Sequence, residues 1–362
     1  MERCEATGTP RDVRRTPPRE RQSSDGDVVG SSAGAQKRRA APIWTKAGRS
    51  ATVRFQMGTD KKHAPADPSR AVCDVGTYIV GLTAIASGAL AASTMAHRRG
   101  GAYSDQVTLW DGASGAPIGS FGTGAGSVCW QAALSPDGRS VAAGFGDCTF
   151  RVWDARTGEE RLREKLGGIV ASVTWSDDGR FVFTGNCGDH TVRLWDVAAG
   201  AVIAQHKSKR SIMWFTSMAG DARRAASGNA DKLVHLWDPR EAVELAPLAG
   251  HTGKILGLAF SRDGTRLVSA SADKTARVWD VAEARCVATL VGHTRQVSAA
   301  CFTDDGAVVT SSADNTVRVW RGATCDDVRV FRLGAVKADG VASTGGEVFV
   351  GCSDGVIRAF AL

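Results

Sequence analysis

Gly250-His251-Thr252-Gly253-Lys254 is the stretch of this chain that looks most like a phosphate-binding loop. Such a loop needs a glycine five residues before its Gly-Lys pair and a serine or threonine directly after it. Leu248 and Ile255 stand at those positions, so nucleotide chemistry is set aside. The histidines His63, His97, His190, His206 and His235 have no spacing that would bring them onto one metal ion. Nine cysteines are scattered singly with no C-x-x-C pair. Paired carboxylates, Asp177-Asp178 and Asp304-Asp305, fall in turn-like segments where such side chains accept backbone N–H bonds. No catalytic set, cofactor site or metal site is expected.

What could position a functional surface is a repeat. ASADKTARVWD at Ala270–Asp280 returns as GDCTFRVWD, GDHTVRLWD and ADKLVHLWD upstream, and as ADNTVRVW and SDGVIRAF downstream. A shortened copy, SDQVTLWD, begins at Ser104. Tryptophans stand at 110, 153, 195, 237, 279 and 320, with Phe360 in seventh place. Within the fifth copy, Ile255–Phe260, residues 267–271, residues 276–279 and residues 286–290 read as β runs separated by turns. A four-stranded sheet buries neither face alone, so seven of them are expected to stack radially into a propeller. His235 occupies the strand position held by Arg193, Arg277 and Arg318 in other copies, which reads as a place for solvated polar side chains.

Seven copies at a period near 42 residues, five of them ending in Trp-Asp, resemble the WD-repeat (WD40) family, over roughly Val72 to Leu362. The resemblance implies an all-β, seven-bladed propeller. It also implies a buried hydrogen-bond set joining His, Ser or Thr, Asp and Trp within a blade. By position these are His251, Ser269, Asp273 and Trp279 in repeat five, and His293, Thr310, Asp314 and Trp320 in repeat six. These residues are expected to be structural. Other repeats keep the aspartate (Asp147, Asp189, Asp231, Asp354) and lack the histidine, so blades five and six should be the most rigid. Blades one and seven should be the loosest, because Phe360 has no indole N–H to donate.

The family geometry sorts the loops onto two faces. Arg98, Arg99, Lys207, Lys209, Arg210, Lys254, Arg295 and Arg332 fall on one, here called the top. Asp137, Asp177, Asp178, Asp263, Asp304 and Asp305 fall on the other. The top is therefore expected to bind something acidic: an acidic or phosphorylated protein segment, or nucleic-acid backbone. Trp153-Asp154-Ala155-Arg156 and Trp237-Asp238-Pro239-Arg240 resemble the box by which some WD-repeat proteins dock on the adaptor of cullin-4 ubiquitin ligases. That resemblance would give Arg156 and Arg240 the docking role.

The first 70 residues read as a separate basic tail. They carry fifteen Lys and Arg against eight Asp and Glu, equal to the whole chain's net charge of +7. Six of the ten prolines are there as well, and few large apolar residues accompany them, so the tail is expected to be disordered. Residues 71–362 form the propeller. The chain ends after the third strand of repeat seven, so an N-terminal segment must close that blade, either residues 52–57 (TVRFQM) or Arg70–Cys73. The uncharged run from Val75 to Ala96 is long enough to cross a bilayer, yet it is weakly apolar and falls where the period requires strands. No membrane role is expected, and single cysteines favour the cytoplasm or nucleus. The reading is a non-enzymatic scaffold for protein–protein interaction. Its alternatives are a substrate receptor of a cullin-4 ligase and a factor in RNA processing or ribosome assembly.

Overall fold

Among the described residues, the β runs of the sequence become twenty-eight strands arranged as seven four-stranded antiparallel sheets. This is a computed structural model, and it describes residues 69–74, 78–85, 87–95, 106–122, 127–207, 213–322, 325 and 327–362. Blade five shows the plan: Ile255–Phe260 innermost, then Arg266–Ser271, Thr275–Asp280 and, outermost, Arg285–Val291. The innermost strands touch one another in a cycle that returns from blade seven to blade one. Seven blades therefore close a ring, as the repeat count requires. Among the described residues, no helix is long and apolar enough to cross a membrane.

Closure is made by Arg70–Asp74. It lies antiparallel on Val356–Ala361 and supplies the outer strand of blade seven. Arg70 thus belongs to the propeller, one residue before the expected boundary. The alternative closing segment, residues 52–57, lies outside the described residues, as does the rest of the tail through residue 68. The Arg70 guanidinium reaches the carbonyls of Gly112 and Ala113 in blade one and the carboxylate of Glu347 in blade seven. One side chain therefore spans the seam between first and last blades.

The period of tryptophans is the period of blade contacts. Each third-strand aromatic packs on the preceding blade: Trp153 with Val107, Leu109 and Phe121, Trp195 with Phe150 and Val152, Trp320 with Val268 and Val278. Phe360 fills the same place in blade seven against Val317, Val319 and Phe331, its ring centroid 4.7 Å from that of Phe331. The large aromatic area removed from water at each joint is the main term holding neighbouring blades together.

Candidate functional site

Hydrogen-bonding side chains run through blades five and six as relays. In blade five the Trp279 indole donates to Ser269 Oγ at 2.8 Å, and Ser269 Oγ lies 2.7 Å from His251 Nε2. His251 Nδ1 lies 2.7 Å from Asp273 Oδ2. Asp273 also accepts the N–H of Thr252, the N–H of Thr275 and the Thr275 hydroxyl. Blade six repeats the arrangement with Trp320, Thr310, His293 and Asp314. Burial pushes the pKa of each histidine down against the opposing pull of its aspartate. A neutral imidazole then accepts from the hydroxyl and donates to the carboxylate.

Hydroxyl, imidazole and carboxylate in that order are the parts of an acyl-transfer triad. Here the hydroxyl oxygen is fully buried and already accepts an indole N–H, so no substrate carbonyl reaches it. The relay positions the loop before the inner strand against the turn after the second one. Gly253 marks how close they come: a Cβ there would lie 2.5 Å from the backbone nitrogen of Asp273.

Where the relay histidine is absent, the third strand supplies the partner of the aspartate. Arg151 donates to Asp147, Arg193 to Asp189 and Arg358 to Asp354. In blades five and six the carboxylate is taken by histidine, and Arg277 and Arg318 lie over their indoles instead, at 6.0 and 5.9 Å. The Gly of each Gly-His pair makes room for that guanidinium; a Cβ at Gly250 would meet Arg277 NH1 at 2.7 Å. The expectation that this strand position is solvated is corrected: Arg151 is 4% exposed and His235 3%. The partly buried carboxylate four residues earlier is paired by this side chain, 2.7 to 3.3 Å away in blades two, three, four and seven.

On the top face the aspartates are turned inward to these partners, and the cations are left outward. Lys254, Arg295 and Lys337 precede the inner strands of blades five, six and seven, and Arg332 ends the outer strand of blade six. Lys232 and Lys274 occupy the turns between second and third strands with positive φ. All six are exposed, and none makes an ion pair among the described residues. Arg98, Arg99, Lys209 and Arg210 lie outside the described residues. Lys232, Lys274 and Lys337 are not among the expected top-face residues; for the first two, the repeated Asp-Lys pair at one turn position (Asp231-Lys232, Asp273-Lys274) was the signal available.

Between the inner strands runs a channel of about 700 Å³, lined by apolar side chains such as Leu82, Trp130, Leu256, Phe260 and Phe302. At its opposite mouth the acidic pairs divide their work. Asp178 and Asp305 cap their own turns, through Ser176 and Arg180 N–H and through Thr303. Asp304 instead accepts the N–H of Gly345 in the next blade, and Asp177 faces the channel mouth. Of the two docking-box arginines, Arg156 is exposed with a side chain that makes no hydrogen bond or ion pair among the described residues. Arg240 donates to the Asp221 carbonyl at 3.1 Å and lies 5.6 Å from the Phe181 ring.

Comparison with known proteins agrees with this architecture. The family profile described as WD domain, G-beta repeat matches residues 115–154, 161–196, 243–280 and 284–321. The serine-threonine kinase receptor-associated protein of Gallus gallus is 36% identical over 77 residues. That stretch is 21% of this chain and 22% of the length of the relative.

Proposed function

Because the chain belongs to the WD40 repeat family and forms its seven-bladed propeller, we propose that it is a rigid scaffold whose top face binds acidic or phosphorylated segments of other proteins. One observation carries this reading: among the described residues of that face, the carboxylates are bonded inward and exposed cations make no ion pair. Lys254, Arg295 and Lys337 stand just before the inner strands of three consecutive blades, so an extended segment can meet all three in turn. Preformed loops on a closed ring lose little conformational freedom on binding, which favours a platform of this kind.

Charge reversal at Lys254, Arg295 and Lys337 together is expected to reduce recovery of partners from native lysate by at least about tenfold at low salt. Arg262→Glu, on the opposite face, serves as the control and should leave recovery unchanged. The same partner set with the triple variant would rule the top face out. Nucleic acid is the competing acidic ligand. Nuclease treatment of the lysate separates it, since protein partners survive that step and nucleic-acid bridges do not.

A second reading is supported at one residue. Docking on a cullin-4 adaptor requires a free guanidinium after Trp-Asp, and Arg156 has one while the Arg240 group is engaged within its own blade and with Phe181. If this chain is a ligase substrate receptor, Arg156→Ala abolishes adaptor co-purification and Arg240→Ala does not. Loss with neither variant, or adaptor absent from the wild-type sample, removes this reading.

A further inference from the structure

Blade four has a titratable group where its neighbours have a permanent cation. In blade two, Arg151 lies between two carboxylates, its NH2 3.3 Å from Asp147 and its NH1 3.5 Å from Glu160. In blade four, His235 takes the same place, Nε2 2.9 Å from Asp231 Oδ2 and Nδ1 2.5 Å from Glu244 Oε1. The register is shared: Glu160 lies opposite Trp153 and Glu244 opposite Trp237. An ionised carboxylate only accepts hydrogen bonds, and a neutral imidazole donates only one. Satisfying both contacts therefore requires two donated protons within the Asp231–His235–Glu244 trio.

The consequence falls on the outer strand. Blade two has six residues in its outer strand, Glu160–Lys165; blade four has two, Val243 and Glu244. Beyond them the chain holds on through Leu245 N–H to Leu236 and Leu248 N–H to Val234. Glu244 is thus half of a minimal strand, and its side chain is tied to His235. Among the described residues, the charged and titratable groups bonded to His235 are Asp231 from the turn before its strand and Glu244 from the outer strand. His206, on the outer strand of blade three, lies 3.9 Å from the other oxygen of Glu244, and its ring is tilted against that of Trp237 with centroids 4.7 Å apart.

We propose that the outer strand of blade four is a pH-operated latch, closed while His235 donates from both ring nitrogens and released when one of those protons leaves. Loss of the proton to solvent base leaves a nitrogen lone pair facing a carboxylate, so an attraction becomes a repulsion. Blade two, with a guanidinium in the same site, has no such response.

Hydrogen exchange of the full-length protein, read by mass spectrometry between about pH 5.5 and pH 9 and corrected for intrinsic base catalysis, tests this. Protection of the peptide covering residues 243–248 should fall by about tenfold per pH unit beyond the midpoint, while that of residues 160–165 stays level. His235→Arg should make blade four as flat as blade two, and His206→Gln should leave the wild-type response in place. A level profile in the wild type, or a response lost with His206→Gln, overturns the proposal. Should His235→Arg fail to fold, ring-nitrogen chemical shifts of His235 in the wild type decide. One protonated nitrogen with the strand still protected refutes the latch, and two support it.

Discussion

Replacing Gly115 with alanine is expected to cost about 3 kcal/mol more than replacing Gly158 with alanine. The two glycines occupy the same position in the turn after the third strand, with φ of 70° and 75°. Left-handed backbone at that position is not itself prohibitive, since Ala242 and Ala284 adopt it at 53° and 49° in blades four and five. The strain it adds is about 1 kcal/mol in either variant. The neighbourhood differs. Nothing lies within 4 Å of a Cβ placed at Gly158, whereas one at Gly115 would overlap the Val72 carbonyl oxygen of the closing strand. That oxygen is backbone in a paired strand, so Arg70–Asp74 must move away from blade one. Burial of Val72 and Cys73 and the bridge from Arg70 to Gly112 and Ala113 are then lost together. Urea midpoints of the two variants give the difference directly. Equal midpoints would mean that the seam does not depend on this contact.

The fold was legible because one period carries it. A Trp every 42 residues or so is one inter-blade joint, and turn residues place the four strands of blade five within a residue of their observed bounds. Ring closure was harder to read. Val-Arg-Phe-Gln alternates better as a strand than Arg-Ala-Val-Cys, but pattern says nothing about reach. Arg70–Asp74 is three residues from the inner strand of blade one, and that short link puts it beside blade seven.

The side-chain chemistry was legible in type and less so in environment. Asp and Trp at fixed separation give the relay positions, because backbone spacing fixes which side chains can meet. The arginine of the third strand was misread as solvated, because period-two alternation assigns a polar residue to water. Here pairing with Asp147, Asp189 or Asp354 draws the guanidinium largely out of water, Arg151 fully and Arg193 and Arg358 in part. Likewise, sequence counts cations and anions on a face equally. It cannot tell that Asp273 and Asp314 are turned in and Lys254 and Arg295 out. The net field of the top depends on that difference.

Asp273→Ala is expected to destabilise the protein by about 3 kcal/mol, against about 1 kcal/mol or less for Asp137→Ala. Asp137 is half-exposed and holds one turn through Ser135 and Arg139. Asp273 accepts four hydrogen bonds, and removing it leaves His251 Nδ1–H and the N–H groups of Thr252 and Thr275 without their acceptor inside the blade. The same geometry fixes the sign of a pH effect. Burial alone would raise the Asp273 pKa, but the Thr275 hydroxyl, the Thr252 N–H and His251 outweigh it and hold the group at about 2; Asp314 is held likewise. A carboxylate depressed on folding contributes stability above its ordinary value of 3.8, and that contribution is lost as pH falls toward 2. His251 and His293 lie below their ordinary 6.5, chiefly through burial, so the folded state favours their neutral form and weakens as pH falls below 6.5. Both effects run the same way. Blades five and six, braced by the relays at neutral pH, should therefore lose protection from hydrogen exchange in acid, first below about pH 6.5 and again below about pH 4. Blade two, whose Asp147 is paired with a guanidinium, lacks the first step. If blades two and five lose protection in parallel between pH 7 and pH 5, the buried histidines are not what limits the acid stability of the ring.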